Sequence, residues 1–206
     1  VRVPGWAMDH PVPGNLYRSL ARGREPMTLK LNGLLVPIRL ERGFALLTRE
    51  WSAGDTVDLH LPMPVSRVVA HEAVTADEGR VAVERGPLVY AAEFVDNGGL
   101  VTNLVLDDQA PLAAQWRPDL LNGVMTVTGR ATALRMRNGS AAAEASPLTL
   151  IPYYAWAHRG KGEMAVWLAR RADRAKPAPD PTMASSARAS SSEAGRSIHE
   201  WTIKQP

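Results

Sequence analysis

The chain has 206 residues, 45% hydrophobic and 22% charged, with a formal net charge of +3 and no cysteine. That length and composition allow a globular protein with one large or two small buried cores, and the missing cysteine excludes a disulfide framework. Residues 1–169 carry 17 Lys plus Arg against 17 Asp plus Glu, while residues 170–206 carry 7 against 4, so the globular part lacks the basic footprint of a nucleic-acid binder.

No apolar run reaches the ~18 residues of a membrane span, and the N-terminus lacks the basic-then-apolar order of a signal peptide. Neither nucleic acid nor membrane is expected as a partner, and cellular location stays open. The chain enters on Val1-Arg2-Val3, a strand-like start without Met, and reads as the C-terminal piece of something longer. In Thr56-Val57-Asp58-Leu59-His60-Leu61 apolar side chains alternate and so share one face of a strand. Two prolines in Leu61-Pro62-Met63-Pro64 then mark a boundary. Residues 1–64 hold roughly five strands, too few for a two-sheet sandwich, and are expected to leave apolar faces and strand edges open.

Alternation resumes in Arg80-Val81-Ala82-Val83-Glu84 and again in Met164-Ala165-Val166-Trp167-Leu168. Breakers between them, at Gly86-Pro87, Asn97-Gly98-Gly99, Asn122-Gly123 and Asn138-Gly139, are dense enough to argue for an antiparallel sandwich. Ser140 to Ser146, rich in alanine and too short for a stable helix, reads as a loop. Residues 65–169 thus form one unit of roughly eight or nine strands. Residues 170–206, with Pro177, Pro179, Pro181 and a Ser/Ala tract, read as a disordered linker or tail, or the start of an appended module. The expected fold is all-β: a jelly-roll-like antiparallel β-sandwich behind a partial second β-domain.

Two blocks carry more than periodicity. They are Gly79-Arg80-Val81-Ala82-Val83-Glu84-Arg85-Gly86-Pro87-Leu88-Val89-Tyr90 and Leu148-Thr149-Leu150-Ile151-Pro152-Tyr153-Tyr154-Ala155-Trp156-Ala157-His158-Arg159-Gly160. With Arg2-Val3-Pro4-Gly5-Trp6-Ala7, Leu31-Asn32-Gly33, Trp51, Gly54-Asp55 and Leu61-Pro62-Met63, their order resembles glycoside hydrolase family 127, the β-L-arabinofuranosidase-like enzymes. The resemblance spans roughly residues 1–169, as the C-terminal half of the middle β-domain (1–64) and the C-terminal β-sandwich (65–169). Ala91 and His158 depart from the usual Cys and Asn. The resemblance implies a retaining glycosidase whose cysteine nucleophile, zinc and acid/base glutamate sit on an N-terminal (α/α)6 barrel. This chain has no Cys, so a thiolate nucleophile and thiolate zinc ligands are impossible in it. No catalytic, cofactor-binding or metal-binding residue is carried over, and the barrel is the implied partner, with a homodimer contact as a further one.

The remaining candidates have a plain reading beside the functional one. Tyr153, Tyr154 and Trp156 are candidate sugar contacts, or rings alternating along a strand, with Tyr153 on one face and the other two filling a core. Arg85 and Arg159 are candidate domain-interface residues, or partners of loop carbonyls, Glu84 and Glu163. Among Glu84, Glu93, Asp96, Asp107 and Asp108 no spacing singles out a hydrolytic pair. The five histidines lack metal-ligand spacing. Three roles follow: an accessory part of a family 127 enzyme, contacting carbohydrate only indirectly; an autonomous carbohydrate-binding module; or, least supported, independent carboxylate catalysis.

Overall fold

A computed structural model describes residues 1–8, 10–20 and 25–180. Among them are strands and single 3-10 turns, and no α-helix. The N-terminal unit contains β1 (Tyr17–Ser19), β2 (Thr28–Leu31), β3 (Leu34–Val36), β4 (Leu40–Glu41), β5 (Phe44–Ala45) and β6 (Val57–His60). Strands β3, β2 and β6 form one antiparallel sheet, and β4 and β5 a hairpin. Asn32 and Gly33, at φ 50 and 80, supply the two left-handed residues that a tight hairpin turn between β2 and β3 demands. The Asn32 amide then donates to Asp55 at 2.7 Å, and its carbonyl oxygen accepts from the Thr56 N–H at 2.8 Å. Hydrogen bonds from the Ser52 N–H and Asn32 hold the Asp55 carboxyl below its ordinary range.

Val3, Leu29 and Ala45 make a small core here. Leu34 and Leu35, 73% and 69% exposed, lie open on β3, and Phe44 on β5 and Trp51 beyond it are exposed as well. The open apolar surface expected of residues 1–64 is therefore present.

The larger unit contains β7 (Val65–Ala70), β8 (Arg80–Arg85), β9 (Leu88–Glu93), β10 (Leu104–Val105), β11 (Leu112–Arg117), β12 (Val124–Arg137), β13 (Ser140–Pro152), β14 (Met164–Ala165) and β15 (Leu168–Ala169). Its pairings close a circuit, from β8 through β9, β13, β12, β10 and β15 back to β8. All are antiparallel except β10 with β15. The circuit encloses a core that includes Val81, Tyr90, Leu104, Val127, Leu150 and Leu168; burial of each of its Val and Leu side chains stabilises the fold by about 1.5–3 kcal/mol. Strands β7 and β1 extend the sheet from the other edge of β8. Through β1, and a Tyr17–Trp167 ring stack at 5.7 Å, the N-terminal segment is tied to the unit that begins at Val65.

Two segments differ from the sequence reading. Ser140 to Ser146, expected as a loop, is the first half of β13 and pairs with β12 from Arg137↔Ser140 onward. Asn138 and Gly139, at φ 50 and 79, fix the hairpin register. Ion pairs from Arg135 and Arg137 to Glu144 then support alanines of low strand propensity. Residues 170–180, read as the start of a linker, are tied back to the sheet, Arg170 to Gly79, Lys176 to Thr102 and Ala178 to β12. The Ala178 N–H donates to the Leu134 carbonyl at 2.9 Å, Met136 returns a bond to the Ala178 carbonyl at 2.8 Å, and Ala178 is buried. The rest of the expected tail lies outside the described residues.

Candidate functional site

Strand β13 leaves the ladder at Pro152, opposite Tyr90. Proline has no N–H to continue the pairing, and Tyr153–Ala155 turn at once into a single 3-10 turn. The alternation expected for the aromatic residues is thereby overturned. Tyr153 and Tyr154 are both exposed, at 46% and 67%, and Trp156 is half-buried. The Tyr153 and Trp156 rings lie 6.0 Å apart, tilted by 37°. Together they form an aromatic ledge at one end of the circuit.

The ledge is stapled from beneath. Arg159 donates from Nε to Glu93 Oε2 at 2.9 Å and from Nη1 to Asp96 Oδ1 at 2.8 Å, while Nη2 reaches both carboxylates. The other Glu93 oxygen accepts the Ala157 N–H at 3.0 Å, and Ala157 is held at φ 70, a left-handed conformation that alanine adopts at a cost. Glu93 closes β9 and is only 2% exposed; Asp96 sits in the 3-10 turn Phe94–Asp96. Hydrogen bonds to Asp96, then Glu93, raise the Arg159 pKa despite burial. Such a desolvated fork on two carboxylates fixes a loop rather than leaving a guanidinium for passing ligands.

Glu163, one of the acids expected beside Arg159, instead accepts the N–H groups of Val101 and Thr102 at 2.9 and 3.0 Å. Burial pushes its carboxyl up, but these donors and the Thr102 hydroxyl outweigh it and bring it below its ordinary range. Arg85, at the end of β8, stays half-exposed and acts electrostatically, with Tyr154, on the buried Tyr90 phenol. Burial pushes that phenol up, and its hydroxyl donates to the Met125 carbonyl at 3.0 Å. The structure thus brings Arg85 and Tyr154 to the same neighbourhood and gives Arg159 an internal partner set that the spacing did not reveal.

Asn97 was missed. Read only as a turn residue, it is buried and completes a backbone-like pairing: Nδ2 donates to the Glu93 and Thr149 carbonyls at 2.8 and 2.9 Å, and Oδ1 accepts the Thr149 N–H at 3.0 Å. The signal was the run from Glu93 to Asn97, an acid closing an apolar strand with two more polar residues just beyond.

Glu93 and Asp96 converge, but around Arg159. Asp108 is paired with Arg170, and Asp107 accepts the Gln109 N–H at 2.7 Å. No group of three or more His, Asp or Glu among the described residues is arranged to hold a metal ion. With cysteine absent as well, the donors here do not fit the zinc that the sequence resemblance implies.

Residues 65–169 match the family model described as the glycoside hydrolase family 127 C-terminal domain, and residues 1–63 that of the GH127 middle domain of beta-L-arabinofuranosidase. A non-reducing end beta-L-arabinofuranosidase of Bifidobacterium longum subsp. longum is 38% identical over 185 residues, which cover 82% of this chain and 25% of that protein. A solved GH127 beta-arabinofuranosidase superposes with a TM-score of 0.82 at 38% identity, covering 87% of this chain and 28% of that one. A GH127 beta-L-arabinofuranosidase from Geobacillus stearothermophilus T6 gives 0.68 at 39% identity, covering 82% and 25%. The chain spans about a quarter of the length of these relatives.

Proposed function

The chain belongs to glycoside hydrolase family 127, and from that premise we propose that it is the non-catalytic accessory part of an enzyme releasing terminal β-L-arabinofuranosides. In this reading the β-units stabilise an (α/α)6 catalytic domain and shape the approach to it, and zinc belongs with that domain. The observation that carries the proposal is the extent of the match: a middle and a C-terminal domain together, in about a quarter of the relatives' length. The chemistry agrees, because the carboxylates of Glu93 and Asp96, which converge, are spent on Arg159. The stapled ledge is the face offered to the catalytic domain, with Tyr153, Tyr154 and Trp156 as packing groups. Arg85 lies beside them as an interface residue, and Arg159 sets the shape of that face.

A second reading, an autonomous carbohydrate-binding module, is favoured by the exposure of Tyr153 and Tyr154. Affinity electrophoresis of the 206-residue chain through gels containing arabinan or plant glycoprotein glycans separates the two. The accessory role gives unchanged mobility. Retardation that Tyr154→Ala abolishes assigns the ledge to sugar binding instead.

A further inference from the structure

A cavity of about 350 Å³ lies where the two β-units meet, walled by Trp6, Met27 and Ile38 on its apolar side. Its polar lining residues are Ser19, Ser66 and two acids, Glu25 and Glu84. Glu25 is exposed and lies 3.2 Å from His60. Glu84 projects from β8, in register with Ser66 on β7 and Val89 on β9, and is half-buried. Its carboxylate has no hydrogen bond or ion pair among the described residues. In this it differs from Glu93, Asp96, Asp108 and Glu163, each of which is bonded to a guanidinium or to backbone N–H groups. No Lys, Arg or His is among the described residues lining the cavity. A carboxylate taken out of water without a cation costs stability, and burial raises the Glu84 pKa above its ordinary value.

From this mismatch we infer that the cavity is a socket for a basic side chain, arginine or lysine, carried by polypeptide of the same protein outside residues 1–206, with Glu84 as its ionic partner. The inference rests on the accessory reading above and names a contact through which the accessory part is joined. Charge selects the occupant: two acids with no cation among the described lining residues repel an anion, and no set of donors among the described residues converges on a metal. An aromatic wall beside a carboxylate suits a guanidinium, which pairs with one and packs on the other. Position selects the source, since the cavity spans the boundary between the two matched domains, in a chain covering about a quarter of its relatives.

The test is Glu84→Gln, made both in the 206-residue chain and in the longer protein, with melting temperature as the readout. In the chain alone an acid with a raised folded pKa weakens the fold as pH rises through that value. Glu84→Gln is therefore expected to raise the melting temperature at pH 7 and to leave it unchanged below the ordinary carboxylate range. In the longer protein the same change removes the partner of a buried cation, and a fall of roughly 5 °C is expected. The longer protein decides by itself, because a rise or no change there overturns the socket. A fall in the chain alone also overturns it, by showing that a cation within residues 1–206 already serves Glu84. Failure of the accessory reading is seen separately, as turnover by the chain alone.

Discussion

Arg159→Ala is expected to destabilise the chain by about 3–5 kcal/mol, the cost of removing one member of a buried ion pair. For a protein of this size that is a fall in melting temperature on the order of 10 °C. Alanine leaves Glu93, 2% exposed, without its counter-charge, and frees Asp96 to repel it across the space the guanidinium filled. The Ala157 N–H bond to Glu93 remains, but the loop bearing the ledge loses its anchor. Arg159→Lys is expected to recover only part of the loss, since one ammonium cannot reproduce a fork on two carboxylates. Thermal unfolding followed by far-ultraviolet circular dichroism measures the effect. In the longer enzyme the substitution should lower stability more than turnover; an unchanged melting temperature with lost activity would contradict the assignment.

Asn97→Ala is expected to cost about 3 kcal/mol. It strips partners from the Glu93 carbonyl and from both backbone groups of Thr149 at once, and each buried polar group left unpaired costs about 1–3 kcal/mol. Asn97→Asp is expected to do more harm than Asn97→Ala, because a carboxylate would face two carbonyl oxygens where the amide donates. Urea unfolding of the two variants beside the parent chain ranks them. Asp equal to the parent would mean that the Asn97 bridge does not hold β13 to β9.

These two residues show which parts of the molecule the sequence could and could not reveal. Strands β6 and β8 are legible because alternation in one strand directly reports its two faces. Hairpin turns are legible because Asn-Gly, as at Asn138-Gly139, has few other uses between alternating runs. The first half of β13 was not: its alanines carry little strand preference, and the partner that decides the matter is the far half of β12. The aromatic run was legible as a feature but not in its geometry. Tyr153–Ala155 became a 3-10 turn because Pro152 ends the ladder, which depends on where Pro152 falls against Tyr90. The partners of Arg159 lie more than sixty positions upstream, and no local spacing distinguishes Glu93 from Glu84 or Glu163. Burial decides those roles, and burial belongs to the fold.

Hydrolysis of an aryl β-L-arabinofuranoside by the 206-residue chain alone, beside the longer protein that carries it, tests the accessory role most directly. No turnover by the chain, with turnover by the longer protein, is the expected result, because the chain holds no cysteine nucleophile and its Glu93 and Asp96 carboxylates are spent on Arg159. Turnover by residues 1–206 alone would contradict the accessory role and return the search for catalytic groups to this chain's own carboxylates.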